Sequence, residues 1–202
     1  SSPDGPRLSR ALDDLDFLVC FDIYLNETTR HADVIIPGPS PLEESHYDVF
    51  FSQFSYANHA RFSPATLPKA PAMLDDWESM VRFIGIVRDR GSDVDIEALD
   101  DELLVELLGD MPGDQVGAIV GQLAPRRGAE RRVDLGLRTG PYGDGFGMNP
   151  TGISLASLEA APSGIDLGPL TPRIPEILRT PSGRIELAPT EFLDALTSCV
   201  EE

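Results

Sequence analysis

Apolar residues recur along this chain in two rhythms, and the change from one to the other outlines its elements. Residues 17–21 (FLVCF) and 32–37 (ADVIIP) are nearly uninterrupted apolar runs of strand length. Such runs suit strands covered on both faces, as in a parallel sheet. Ahead of them Leu8, Leu12 and Leu15 share one face of a short helix, with Asp4 as N-cap and Pro6 near its first turn. A longer helix follows Asp75 or Asp76 as cap: Trp77, Met80, Val81, Ile84 and Val87 make its buried stripe and Gly91 ends it. The pattern predicts two more helices, over 96–108 and 115–123, the second capped by Asp114. Between strands and helices, the aromatic and proline-bearing segment 50–72 reads as an extended, packed loop.

From 126 to 181 Gly, Pro and Arg accumulate, which predicts long loops with little regular structure. GRIEL (183–187) then reads as a strand, and PTEFLDAL as a final helix with Thr190 as N-cap. Helix, strand, short polar segment, strand is the order of an α/β fold. The expected architecture is a mostly parallel sheet flanked by helices, followed by a long irregular Gly/Pro-rich second half. Its parts are an α/β portion over 1–91, a helical insert over 92–125 and a loop-rich segment over 126–202 that returns to the α/β portion.

Charge narrows the function classes. With 34 acidic against 16 basic residues the formal net charge is -18, a poor surface for nucleic acid or anionic lipid. Two cysteines, Cys20 and Cys199, make neither a disulfide framework nor a Cys-rich metal site, which points to a reducing, cytoplasmic setting. No apolar run reaches the roughly 18 residues a membrane-spanning helix needs. The start, SSPDGPRLSRALDD, lacks the basic and apolar regions of a signal peptide and leads straight from loop to helix, as a piece of a longer chain would.

Candidate chemistry gathers around the first strands. Asp22 follows FLVCF directly, at the carboxyl end where open α/β sheets bind ligands. A carboxylate there accepts paired hydrogen bonds from a guanine edge or a ribose diol; the alternative is a cap on the turn before Asn26. NETT (26–29) offers hydroxyls and backbone donors for a phosphate or sugar, or equally a helix cap. Asp76 likewise caps a helix or holds a base. Glu43 and His46 have the spacing of a di-iron half-motif, but they follow PGPSPL, a loop, and three histidines leave little to complete a metal shell. TGPYGDGFG (139–147) has the glycines of a phosphate loop without the flanking strand and Lys-Ser/Thr, and reads as a turn-rich surface loop.

Taken together and in order, FLVCFDIYLNETTRHADVIIPGPSPLEE, DDW and TPSGRIEL resemble the molybdopterin oxidoreductases, the group of formate dehydrogenases and nitrate reductases. The resemblance covers 16–43, 75–88 and 173–187. It implies that 1–91 is a cofactor-binding portion gripping one guanine dinucleotide of a molybdenum bis(molybdopterin guanine dinucleotide) cofactor. It matches Phe21 and Asp22 to the nucleotide contacts at the strand end, Thr28 to the threonine of the turn and Asp76 to a second contact before the helix. A 4Fe-4S cluster is then expected in a Cys-rich N-terminal part outside these residues, since two cysteines are too few to ligate one. The partners implied are the remaining domains of the same polypeptide and a small substrate, with formate ahead of nitrate. No catalytic residue or metal ligand is assigned here, and this piece alone is expected to be inactive. The match departs at Glu44 and His46, where the family often has Lys and then Gly. The contrasting expectation is a non-catalytic acidic α/β interaction module. A piece separated from its neighbours would also expose apolar surface and self-associate.

Overall fold

A computed structural model describes residues 3–109 and 111–200 of the chain. The side chain of Cys199 lies outside the described residues. Helix α1 (Gly5–Asp13) begins as its sequence dictates, with the Asp4 carboxylate accepting the Arg7 N–H at 3.2 Å and Pro6 in the first turn. Strands β1 (Val19–Phe21) and β2 (Val34–Ile36) pair in parallel, Val19 opposite Val34 and Phe21 opposite Ile36. A short crossover containing a 3-10 turn, Thr29–His31, joins them.

The fold is mixed α/β, but the sheet is not mostly parallel. Among the described residues the strands form three two-stranded sheets, and only the β1–β2 pair is parallel. Strand β3 (His46–Tyr47) pairs antiparallel with β5 (Phe62–Ser63), and β4 (Ala57–Ala60) pairs antiparallel with β6 (Ile165–Pro169). Two continuous apolar runs identify strands of the buried type; they carry no information on how many neighbours those strands have. The antiparallel strands are two to five residues long and lie among prolines and aromatics, so no period-2 pattern is long enough to reveal them.

Helices α2 (Asp76–Val87) and α3 (Ile96–Leu108) form where the apolar period predicts. Helix α4 (Gly113–Leu123) has Pro112 at its cap position, which places Asp114 in the first turn instead of at the cap. The α2 stripe differs from expectation: Val81 is buried, but Met80 and Val87 are exposed, while Ser79 and Gly85 are covered. Gly85 decides this, because Val94 sits where its Cβ would be, 2.7 Å away.

The second half is also more regular than its composition suggests. Helix α5 (Gly128–Thr139) and the short α6 (Leu155–Glu159) occupy the stretch expected to be loop. The reason lies in the buried face of α5, which carries Arg131 and Asp134 beside Leu135 and Leu137, so the apolar period is broken by charge. Both groups find partners inside the protein, although the Arg131 Nη2 is buried with no hydrogen-bond partner among the described residues. The Asp134 carboxylate accepts the Leu155 N–H at 2.8 Å and so holds the start of α6. Arg131 meets Asp100 of α3, at 3.2 Å, with both side chains inaccessible to solvent. GRIEL is not a strand: Gly183 has φ +64 and Thr180 donates its hydroxyl to the Arg184 carbonyl, making a turn that leaves Ile185 and Leu187 exposed. The last helix, α7 (Thr190–Val200), forms where expected but one residue earlier than a Thr190 cap implies: Thr190 is its first helical residue, and the Pro189 carbonyl accepts the Leu193 N–H at 3.2 Å.

Helix α5 separates two hydrophobic cores. Leu137 joins Ala60, Phe62, Ile153, Leu155 and Leu158 on one side; Leu135 joins Leu104, Leu108, Ile119 and Leu123 on the other. Among the described residues no helix is long and apolar enough to cross a membrane.

The start of α5 also fixes α2. Gly128 has φ +53, and a Cβ on it would lie 2.1 Å from the Trp77 ring. Gly128→Ala therefore combines left-handed strain with a clash and should cost roughly 2–4 kcal/mol in urea unfolding. In contrast, Gly117→Ala in α4, where a Cβ meets nothing within 4 Å, should stabilise by up to about 1 kcal/mol. Equal effects of the two substitutions would contradict this packing.

Candidate functional site

The carboxyl ends of β1 and β2 form a small rim, and the residues singled out from the sequence fall around it in different ways. Asp22 leaves β1 with its N–H donating to the Ile36 carbonyl at 3.2 Å, so it stands beside the end of β2. Its carboxylate folds back over the following turn: Oδ1 accepts the Tyr24 N–H at 2.9 Å and Oδ2 accepts the Asn26 side-chain amide at 2.8 Å. These bonds, the Tyr24 N–H first and the Asn26 amide second, hold the carboxyl below its usual range. Asp22 is thus an anion that caps a turn and keeps lone pairs open to solvent.

The NETT turn is held mainly by Asn26 and Thr29. The Asn26 Oδ1 accepts the Thr28 and Thr29 N–H groups at 2.9 and 3.1 Å. The buried Thr29 hydroxyl donates to the Tyr24 carbonyl at 2.8 Å and accepts the Asn26 N–H at 2.7 Å. Thr28 is exposed, and its hydroxyl has no hydrogen-bond partner among the described residues. Phe21 faces elsewhere: its ring packs edge-on against Phe83 of α2, with centroids 5.9 Å apart.

Asp76 reaches the same end of the parallel pair from α2. Gly38 lies just past β2, and a Cβ there would be 2.1 Å from the Asp76 Oδ1, so the absence of a side chain at Gly38 is what admits this carboxylate. Its neighbours are positioned by other acids. The Glu44 carboxylate accepts the Asp76 N–H at 2.9 Å, and Glu78 accepts the Asp75 N–H at 2.7 Å. Lys69 neutralises Asp75 at 2.5 Å. Glu44, Asp76, Trp77, Arg126 and Arg127 line a concavity of about 450 Å³ beside the start of α2. Both arginines are already committed, Arg126 to Glu159 at 2.7 Å and Arg127 to Asp101 at 2.6 Å. Asp22 does not line this concavity.

Other sequence candidates resolve into structural parts. Glu43 caps the turn at Ser40 and His46 begins β3, so the pair shares no helix. In the TGPYGDGFG loop, Asp144 binds the Arg138 guanidinium and the Phe146 N–H, tying the loop to α5. Cys20 is half-buried in β1. The sequence marked Thr29 only as one member of the NETT turn, and it did not reveal Gly38 or Glu44 as positioning residues. Of those two, Gly38 carried a signal, as a glycine inside a proline cluster at a strand end.

Over 44 residues the chain is 43% identical to the assimilatory nitrate reductase catalytic subunit of Bacillus subtilis (strain 168). The matched stretch is 22% of this chain and 6% of that subunit, so only a small part of the relative is spanned. No family profile matches the chain, and no solved structure does.

Desolvation first, then the charges of Asp76 and Asp75, hold Glu44 above its usual range despite the Asp76 N–H. A raised folded pKa contributes stability below the ordinary glutamate range of about 4.3, and that contribution is lost as pH rises through the folded value. Glu44→Gln keeps an acceptor for the Asp76 N–H without the charge. It should raise the thermal midpoint by about 1–3 °C at pH 7, with the gain fading below about pH 4. A lowered midpoint at pH 7 would contradict this electrostatic balance.

Proposed function

We propose that this chain is part of a molybdopterin-dependent oxidoreductase and helps to hold one guanine dinucleotide of a molybdenum bis(molybdopterin guanine dinucleotide) cofactor. The observation that carries the reading is the rim itself. Two exposed or half-buried carboxylates, Asp22 and Asp76, and the free Thr28 hydroxyl belong to the carboxyl end of a parallel strand pair. Open α/β sheets take nucleotides at such ends. The likeness to a nitrate reductase subunit supports the same reading, and favours nitrate over formate as the small substrate of the whole enzyme.

The residues present fit a guanine. Each Asp22 oxygen already accepts one hydrogen bond, and an ionised carboxylate offers about four acceptor sites, so the guanine N1–H and N2–H can be read side by side. The two internal bonds fix the orientation of that carboxylate before any ligand arrives. Thr28 adds a hydroxyl for a sugar or phosphate oxygen. Phe21 has a supporting part, bracing the strand end against α2 through Phe83. When bound, the cofactor supplies two-electron redox chemistry; this chain's residues bind and orient it, and none is assigned to catalysis. The metal ligand and a 4Fe-4S cluster belong, on this reading, to the rest of the polypeptide.

A second reading, a non-catalytic interaction module, draws on a different observation. Val49, Phe50, Phe51, Phe54 and Tyr56 are all more than 60% exposed, an aromatic surface suited to covering by another domain or a second copy. The two readings part on guanine recognition. GDP titrated into the chain should shift the amide resonances of Asp22 and Thr28, and Asp22→Asn should weaken binding about tenfold or more. ADP shares the phosphates but lacks the paired N–H edge, and should bind more weakly. Equal binding of GDP and ADP, unaffected by Asp22→Asn, would overturn the cofactor reading.

A further inference from the structure

A second concavity lies away from the β1–β2 rim, where β3, β4 and β5 meet. It has a volume of about 260 Å³, and its polar lining includes His46, His59, Arg61, Ser52, Ser55 and Ser63. Strand alternation explains why these side chains gather. Ala60 and Phe62 are buried in the first core, so Arg61 between them must point outward, as must His59 next to Ala60. Tyr47 packs on that core opposite Phe62, which turns the preceding His46 and its cross-strand partner Ser63 to the outer face. The antiparallel β3–β5 pairing thus brings two imidazoles and a guanidinium from three strands' ends into one hollow.

Several exposed arginines, Arg173 among them, have no carboxylate partner among the described residues; what distinguishes Arg61 is that its uncommitted guanidinium shares a concavity with two imidazoles and three serines. Lys69, Arg88, Arg90, Arg126, Arg127, Arg131, Arg132 and Arg138 all pair with carboxylates, as a chain with 34 acids would suggest. Arg61 lies in the open with no carboxylate within 4.0 Å and no hydrogen bond among the described residues, and the same holds for the His46 ring. The lining also carries the Asp48 carboxylate, whose Oδ1 is turned to its own backbone and accepts the Phe50 and Phe51 N–H groups at 3.0 and 2.6 Å; its charge is the one the site's donors must outweigh. Asp166, opposite His59 on β6, is turned to its own loop and accepts the Gly168 N–H at 2.8 Å.

We propose that this hollow is a binding site for a tetrahedral oxyanion, a phosphate either free or at the end of a small molecule. The donor set suits one. A guanidinium offers a planar fork that engages two phosphate oxygens, and the serine hydroxyls supply further donors. His59 donates from Nδ1 to the Ala57 carbonyl at 3.3 Å, which leaves Nε2 facing outward as an acceptor. A monohydrogen phosphate can donate its P–O–H to that nitrogen. The volume holds a phosphate together with several waters, at about 30 Å³ each, or with a small organic group. At a net charge of -18 the overall field repels anions, so saturable binding of a dianion requires a local arrangement of donors.

The test is titration of inorganic phosphate into the whole chain at constant ionic strength, following the histidine ring resonances, with chloride as control and glycerol phosphate as a second probe. Saturation in the millimolar range with shifts at His46 and His59 is expected, and Arg61→Gln should weaken it at least tenfold. His59→Gln should weaken it several-fold, whereas Arg173→Gln, an exposed arginine outside the hollow, should leave it unchanged. Tighter binding of glycerol phosphate identifies the terminal phosphate of a larger molecule; tighter binding of inorganic phosphate identifies the free ion. Absence of saturation, or saturation that survives Arg61→Gln, would overturn the site. Asp22→Asn should not alter phosphate binding, so the outcome is independent of the guanine test.

Discussion

The carboxylate of Asp100 is the group on which the arrangement of helices depends. It is fully buried in α3, and its two oxygens face the start of α5: Oδ2 accepts the Gly128 N–H at 3.2 Å, and Oδ1 accepts Arg132 at 2.5 Å. Arg131 approaches it at 3.2 Å, donates to Asp101 at 2.5 Å and sends its Nε to the Arg126 carbonyl at 2.8 Å. Taking such charges out of water is costly, and a buried pair adds little net stability over an apolar one. Its effect is specificity of position, because removing either partner strands a charge in the interior. The consequences extend outward in order. Gly128 is held at a positive φ, Trp77 packs on it, α2 is set in place, and Asp76 arrives beside Gly38.

This explains which parts of the protein were legible in its sequence. Helices α1, α2 and α3 were, because their caps and apolar periods act locally; so were β1 and β2, whose apolar runs are unbroken. Helix α5 was not, since its buried face carries Arg131 and Asp134, whose partners, Asp100 and the start of α6, come from elsewhere in the chain. The antiparallel strands were hidden for a related reason: their pairing partners are far apart in sequence, as with β4 and β6. At the rim, Asp22 and Asp76 were visible as acids at element ends. Gly38, Glu44 and Thr29, which position them or shape the turn, are ordinary residues whose roles come from contact.

The parallel pair has an open character that bears on its proposed role. Parallel strands are usually covered on both faces and flanked by further strands. Here Val34 and Phe17 are 41% and 63% exposed, and Ile185 and Leu187, spaced as in a strand, are exposed as well. An apolar surface of this kind suits covering by another strand or another chain.

The most direct measurement of the positional chain from Asp100 to the rim uses Trp77, the sole tryptophan. Urea unfolding of the native chain and of Asp100→Asn, followed in parallel by Trp77 fluorescence and by far-ultraviolet circular dichroism, reports on the α2–α5 contact and on the helices together. If Asp100 organises both, the two signals move as one transition, and the substitution shifts it by about 3 kcal/mol or more. A Trp77 transition that stays at the native midpoint while the helical signal moves would contradict the account.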